Sequence, residues 1–123
     1  MIVPVWKEDL DEQTLKQWFF KIAHYIDIKN FYDDINNLSI WKSKDFICCV
    51  EFSNGVLFIS HLANLSDSGK VKDFLKELSD IYKPVFIMGF RKGSLLVYNN
   101  NRIRKIPRQM VEIFLQNIQR KEE

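Results

Sequence analysis

The sequence predicts an α+β fold, a mainly antiparallel central sheet with helices on both faces, its elements running in the order β-α-α-β-β-α-β-β-α. Three observations carry that expectation. The run FICCVEFSNGVLFISHLANL, Phe46 to Leu65, places two apolar, β-rich arms around Asn54-Gly55, a pair that tolerates the positive φ values of a two-residue type I′ turn. Neither face of that hairpin is plainly polar. One would carry Phe46, Cys48, Val50, Phe52, Leu57, Ile59, His61 and Ala63, and the other Ile47, Cys49, Glu51, Val56, Phe58, Ser60 and Leu62, so the ribbon should lie inside a sheet covered on both sides. Segments with apolar residues at spacings of three and four flank it and supply the covers.

The 123 residues, 46% of them apolar with ten Phe and three Trp, suffice for one core, so residues 1–123 are expected to form a single α+β domain. Residues 1 to 6, MIVPVW, suit a short edge strand, because Pro4 is tolerated only at an edge or a strand start. Asp9 followed by Glu12 then reads as a capping box, opening a helix whose buried stripe is Leu15, Trp18, Phe19, Ile22, Ala23 and Ile26, widened by Phe20, His24 and Tyr25. Core packing accounts for that aromatic stripe. Asn30 to Ser39 mixes Phe31, Tyr32, Ile35 and Leu38 with Asp33, Asp34, Asn36 and Asn37, the pattern of a short second helix and a loop. Ile40 and Trp41 begin a strand that enters the central hairpin after a loop or bulge.

Beyond the hairpin, Ser66-Asp67-Ser68-Gly69 interrupts the pattern, and Val71, Phe74, Leu75, Leu78, Ile81 and Tyr82 resume at helical spacing. Ser66 or Ser68 would cap that helix, with Asp67 near its positive end. Pro84 marks its exit. Val85 to Phe90 and Leu95 to Tyr98 form a second strand pair around Arg91-Lys92-Gly93-Ser94, and Asn99-Asn100-Asn101 turns into an extra strand near Arg104, Arg102 to Ile106. Pro107 fits the first turn of a last helix, with Met110, Val111, Phe114, Leu115 and Ile118 as its stripe.

No run approaches the roughly 20 apolar residues of a membrane span, and MIVPVWKEDLDEQ lacks the charged and apolar regions of a signal peptide, so a cytoplasmic setting is expected and no membrane partner. Adjacent strand residues point to opposite faces, which keeps Cys48 and Cys49 from bonding to each other; both read as reduced core residues. Two cysteines and two widely spaced histidines make no zinc pattern.

Catalytic chemistry finds little support. His61 on the central strands would need an orienting carboxylate to act as a base, and Glu51 belongs to the opposite face. Cys48 faces His61 in the expected register, but a mid-strand thiol in apolar surroundings has its pKa raised rather than lowered. Asp33-Asp34 invites a metal, yet neighbouring helical residues project about 100° apart, and a solvated face is the simpler reading. No catalytic, cofactor or metal residue is assigned.

Charge supplies the best lead to a partner. Residues 1 to 82 balance at −4, residues 83 to 108 hold seven cations and no acid, and the remainder is −1, which together make the overall +2. Arg91, Lys92, Arg102, Arg104, Lys105 and Arg108 are the candidate interaction residues.

The run VLFISHLANLSDSGKVKDFLKEL and the following strand, from Pro84-Val85 to Gly89-Phe90, resemble the core of the GCN5-related N-acetyltransferase family, and the two helices ahead of a meander are similar to its upstream order. The resemblance covers residues 1 to 90. It implies a scaffold in which a strand, a pyrophosphate-cradling turn and a helix hold an acyl-CoA. The family's turn reads Gln/Arg-x-x-Gly-x-Gly/Ala; this chain shares Gly69, with Lys70 after it, lacks the leading Arg or Gln, and adds Asp67. The resemblance therefore implies the scaffold more than the activity, as in some small phage-encoded proteins with binding or structural roles, whose setting would be the host cytoplasm or the virion. Three functions follow as expectations. The leading one is a non-enzymatic interaction or accessory protein that meets a protein partner or itself through a charge-complementary face; the others are an N-acyltransferase that uses acetyl-CoA through a divergent loop, and a nucleic-acid-binding protein using the basic segment 83–108.

Overall fold

Asn54 and Gly55 turn the central hairpin at φ values of 51° and 81°, joining β3 (Phe46–Ser53) to β4 (Val56–Asn64). A computed structural model describes residues 1–23, 27–91 and 94–122, the side chains of Arg91 and of residues 118–122 excepted. The expected helical positions His24, Tyr25 and Ile26, the loop residue Lys92 and the side chain of Ile118 thus lie outside the described residues. Around the hairpin runs a seven-stranded sheet in strict chain order, completed by β1 (Val3–Val5), β2 (Ser39–Lys42), β5 (Phe86–Arg91), β6 (Ser94–Asn99) and β7 (Arg102–Ile106). Every neighbouring pair is antiparallel except β4 and β5. Those two run parallel because α3 (Val71–Tyr82) carries the chain back between them.

The sheet is larger than the order read from the sequence. Ser39–Lys42 is a strand of its own between β1 and β3 rather than an entry into the hairpin. A tight link makes this feasible: the Ser43 hydroxyl accepts the backbone N–H groups of Asp45 at 3.3 Å and Phe46 at 3.1 Å, which turns the chain within three residues.

Side-chain alternation assigns each helix to a face. Phe46, Cys48 and Val50 of β3, with Leu57, Ile59 and Ile87, pack under Phe74, Leu75 and Leu78 of α3. Ile47, Cys49 and Ala63 point the other way, under Trp18 and Ile22 of α1 (Glu12–Ile22) and Phe31 and Ile35 of α2 (Ile28–Asn37). That same face continues across Val56, Met88, Leu95 and Val97, where Val111, Phe114 and Leu115 of α4 (Val111–Glu122) cover it. The helices therefore lie on both faces, three against one. Among the described residues no helix is long and apolar enough to cross a membrane.

Two helix starts differ from expectation, those of α1 and α3. Lys7–Asp9 forms a 3-10 turn, so the cap of α1 is Asp11 rather than Asp9, its carboxylate accepting the Thr14 N–H at 2.6 Å. That backbone hydrogen bond holds the Asp11 carboxyl below its ordinary pKa. A depressed native pKa gives stability that is present above the unfolded value of about 3.9 and fades as pH falls through the native one. The melting-temperature difference between the wild type and Asp11→Ala, followed by circular dichroism, is therefore expected to favour the wild type at neutral pH and to close in acid. A gap unchanged at low pH would mean that the carboxylate charge is not what caps the helix.

Candidate functional site

Where β3 and β4 pair, the register runs from Phe52↔Leu57 through Cys49↔Ser60 and then jumps to Ile47↔Ala63, so that His61 and Leu62 together oppose Cys48. At this bulge His61 takes a left-handed φ of 55°, a conformation in which His is enriched relative to most residues with a Cβ. The extra residue turns the imidazole toward α1 and α2. The expected Cys48–His61 pairing is thereby replaced: Cys48 lies among the α3 contacts, while His61 joins the cluster of Trp18, Phe31 and Cys49 on the opposite side. Beyond the bulge, Phe46 pairs with Asn64, not with Ala63.

Both helices grip His61. Trp18, fully buried on α1, donates its indole N–H to the His61 carbonyl at 2.6 Å, and Asp34 of α2 holds the ring Nε2 at 2.6 Å through Oδ2. Since a carboxylate only accepts, Nε2 carries the proton. The Phe31 ring stands edge-on to the imidazole at 5.5 Å and edge-on to Trp18 at 4.8 Å. An orienting carboxylate does exist, then, and it comes from the helix rather than from Glu51. The imidazole is nonetheless only 2% exposed, with Nε2 committed to Asp34. A base must come within hydrogen-bond reach of the proton it takes, directly or through one water, and this ring offers a substrate almost no surface. The pair joins α2 to the sheet.

Both thiols are buried, Cys48 on the α3 face of the sheet and Cys49 on the face under α1 and α2. Burial drives the Cys48 thiol well above its ordinary pKa, and burial reinforced by the Asp34 charge pushes Cys49 up to about 12. Each is a protonated core group at neutral pH, a poor nucleophile.

The loop ahead of α3 has a different occupant from the one its composition suggests. Instead of capping α3, the Ser66 and Ser68 hydroxyls both donate to Asp45 Oδ1, the second at 3.4 Å. The Asn64 amide donates to the Ser68 carbonyl at 2.9 Å, and Lys70, the residue ahead of α3, provides no side-chain cap. Asp67, at φ 59°, pairs with Lys21 of α1 at 2.6 Å rather than lying at the helix end. Gly69, at φ 86°, has no room for a side chain, because a Cβ there would collide with the Asp45 carboxylate. A carboxylate of the protein's own thus lies against the Gly69 backbone.

The basic segment is spread over several elements. Arg102 and Arg104 oppose Asn99 and Val97, on the α4 face; Lys105 opposes Leu96, on the α3 face. All three are exposed, as is Arg108 in the 3-10 turn Arg108–Met110 that follows. Arg91 ends β5, its side chain outside the described residues, as is Lys92 altogether. Arg102 and Arg104 thus share a side, and Lys105 departs from it. Of the aromatics nearby, Tyr98 is buried and Phe86 packs on Phe114 with ring centres 5.7 Å apart, leaving Phe90 exposed. A single-stranded nucleic acid needs successive bases stacked above one cationic groove, and this arrangement supplies one free ring and cations on two faces.

Comparison with known proteins finds no match to this chain, whether among family models, curated proteins or solved structures.

Proposed function

We propose that the chain is a protein-interaction module, not an enzyme, and that it works through the open basic edge of its sheet. The observation that carries this reading is β7: the last strand of the sheet, paired among the described residues with β6 alone, with Arg102, Arg104 and Lys105 all exposed on it. An edge strand offers unpaired backbone donors and acceptors, and its cations steer encounter with an acidic surface. The groups with chemical potential are spent internally, as the Asp34–His61 pair, the buried thiols and the serine loop closed on Asp45 illustrate.

Recovery from the native cell of an identified protein by the wild type, and its loss with a folded Arg102→Ser, Arg104→Ser, Lys105→Ser variant, is the expected result. Equal recovery by both, or recovery of nucleic acid in place of protein, overturns the reading.

One observation favours a second reading, an acyl-CoA-dependent transferase. The unit β4–turn–α3–β5 is a parallel crossover, as a strand, a phosphate-cradling turn and a helix would require. Against it stands Asp45 in the cradle. Titration calorimetry with acetyl-CoA is expected to give no heat, and saturable binding would put the transferase first.

A further inference from the structure

We propose that β7 takes an extended acidic segment of a partner protein as an eighth strand of the sheet. The inference rests on the interaction reading above and names the partner's chemistry and its mode of docking. The two ends of the sheet are unequal. At one end β1 has three residues, and Pro4 in its middle lacks an N–H, which blunts that edge. At the other, β7 has five residues, no proline and no break in its register with β6. The chain after β7 turns through Arg108–Met110 into α4, whose Val111, Phe114 and Leu115 pack on the sheet face over Val56, Met88, Leu95 and Val97, not along the outer edge.

The charges on this edge select its occupant. A second copy of β7 would bring cations opposite cations, which is destabilising in either strand direction. An acidic strand meets the opposite situation. Directly opposed side chains in adjacent strands have Cβ atoms about 4.5–5.5 Å apart. A guest with acids at alternate positions would place them across from Arg102 and Arg104 on one face. The residue between them would lie across from Ile103, which is partly exposed, and the next acid across from Lys105. From Arg102 to Lys105 the edge therefore calls for acid, apolar, acid, acid, in the guest's own order if it runs parallel to β7 and in reverse if antiparallel. Main-chain hydrogen bonds would supply affinity, and alternate side chains specificity, as in other strand-addition interfaces.

A nucleic acid is the poorer fit. It has no row of amides to complete the edge, and the cations do not share one face.

The probe is a short capped peptide containing Glu-Val-Glu-Glu within a run of alternating Glu and Val, labelled for fluorescence anisotropy and titrated at low and at high salt. Three comparisons accompany it: a scrambled peptide of the same composition, the same peptide N-methylated at alternate backbone positions, and a single-stranded oligonucleotide of equal charge. Strand addition predicts that N-methylation weakens binding by about tenfold or more, because it removes main-chain donors and leaves every charge in place. Scrambling should weaken it as well, and Arg102→Ser with Arg104→Ser should do so while the circular dichroism spectrum stays that of the wild type. If the methylated and scrambled peptides bind as well as the parent, the contact is charge alone, and strand addition fails while the interaction reading stands. Tighter binding of the oligonucleotide than of any peptide overturns both. Failure of the parent peptide to bind at low salt overturns this inference, and the partner-recovery comparison then judges the broader reading by itself.

Discussion

Trp18→Ala is expected to cost about 3–5 kcal/mol, the range for removing a large aromatic side chain from a packed core. Trp18 is fully buried, edge-on to Phe31, and hydrogen-bonded to the carbonyl of the left-handed residue at the β4 bulge. Three losses therefore coincide. The cavity and the lost transfer energy dominate; the hydrogen bond adds roughly 1 kcal/mol by itself, and more if the His61 carbonyl is left dry. Domains of this size have only about 5–15 kcal/mol of stability in total, so the variant should melt more than ten degrees lower, by about 4 °C for each kcal/mol. Trp18→Phe separates the contributions, since it keeps much of the ring volume and forfeits the N–H. Urea unfolding of the three proteins is the measurement. A loss below about 1.5 kcal/mol for the alanine variant, small for a large-to-small core substitution, would mean that α1 does not anchor at the bulge.

That same bulge marks the limit of what the sequence reveals. The hairpin turn, the parity of Val50, Phe52, Leu57 and Ile59, and the coverage of both faces follow from Asn54-Gly55 and from alternation, and the structure has them. The register beyond residue 60 does not follow, because a bulge adds a residue without changing composition, and no Gly or Asn marks this one. A slip of one residue then moves His61 to the other face. The role of Asp34 is legible in its spacing. Phe31, Asp34, Ile35 and Leu38 follow at spacings of zero, three, four and seven, so Asp34 falls on the buried stripe of α2, where an ionisable group needs a partner. Its half-exposed position beside His61 is that partnership. The cap of α3 is not legible because serines that can cap a helix can equally bond a carboxylate, as Ser66 and Ser68 do with Asp45.

The basic edge shows a related division. Charge counting locates a cationic segment but not its shape; only the pairing of β6 with β7 divides Arg102 and Arg104 from Lys105. Three of the seven cations counted in residues 83–108 lie on β7, and the alternation of the strand sets them on two faces.

Gly89→Ala should produce the other large effect, because here the space needed by one methyl group is held by backbone. An added Cβ would lie 2.7 Å from the Ile59 carbonyl oxygen, across the final registered pair of the β4–β5 ladder. Replacing glycine restricts the unfolded chain and by itself stabilises by about 0.4–1 kcal/mol. The clash opposes this, and no rotamer change can relieve a contact with a carbonyl, so the overpacking cost of about 1–3 kcal/mol or more should win. Its location matters as much as its size. The parallel ladder Val56↔Phe86 to Ile59↔Gly89 connects the antiparallel set β1–β4 to the antiparallel set β5–β7. Strain at Gly89 should consequently loosen β5, β6 and β7 more than β2 and β3, and native-state hydrogen exchange should register it as faster opening of the later strands. Uniform acceleration across the sheet would show that the two sets open as one unit, and unchanged stability would show that β5 can shift away from Ile59 at no cost.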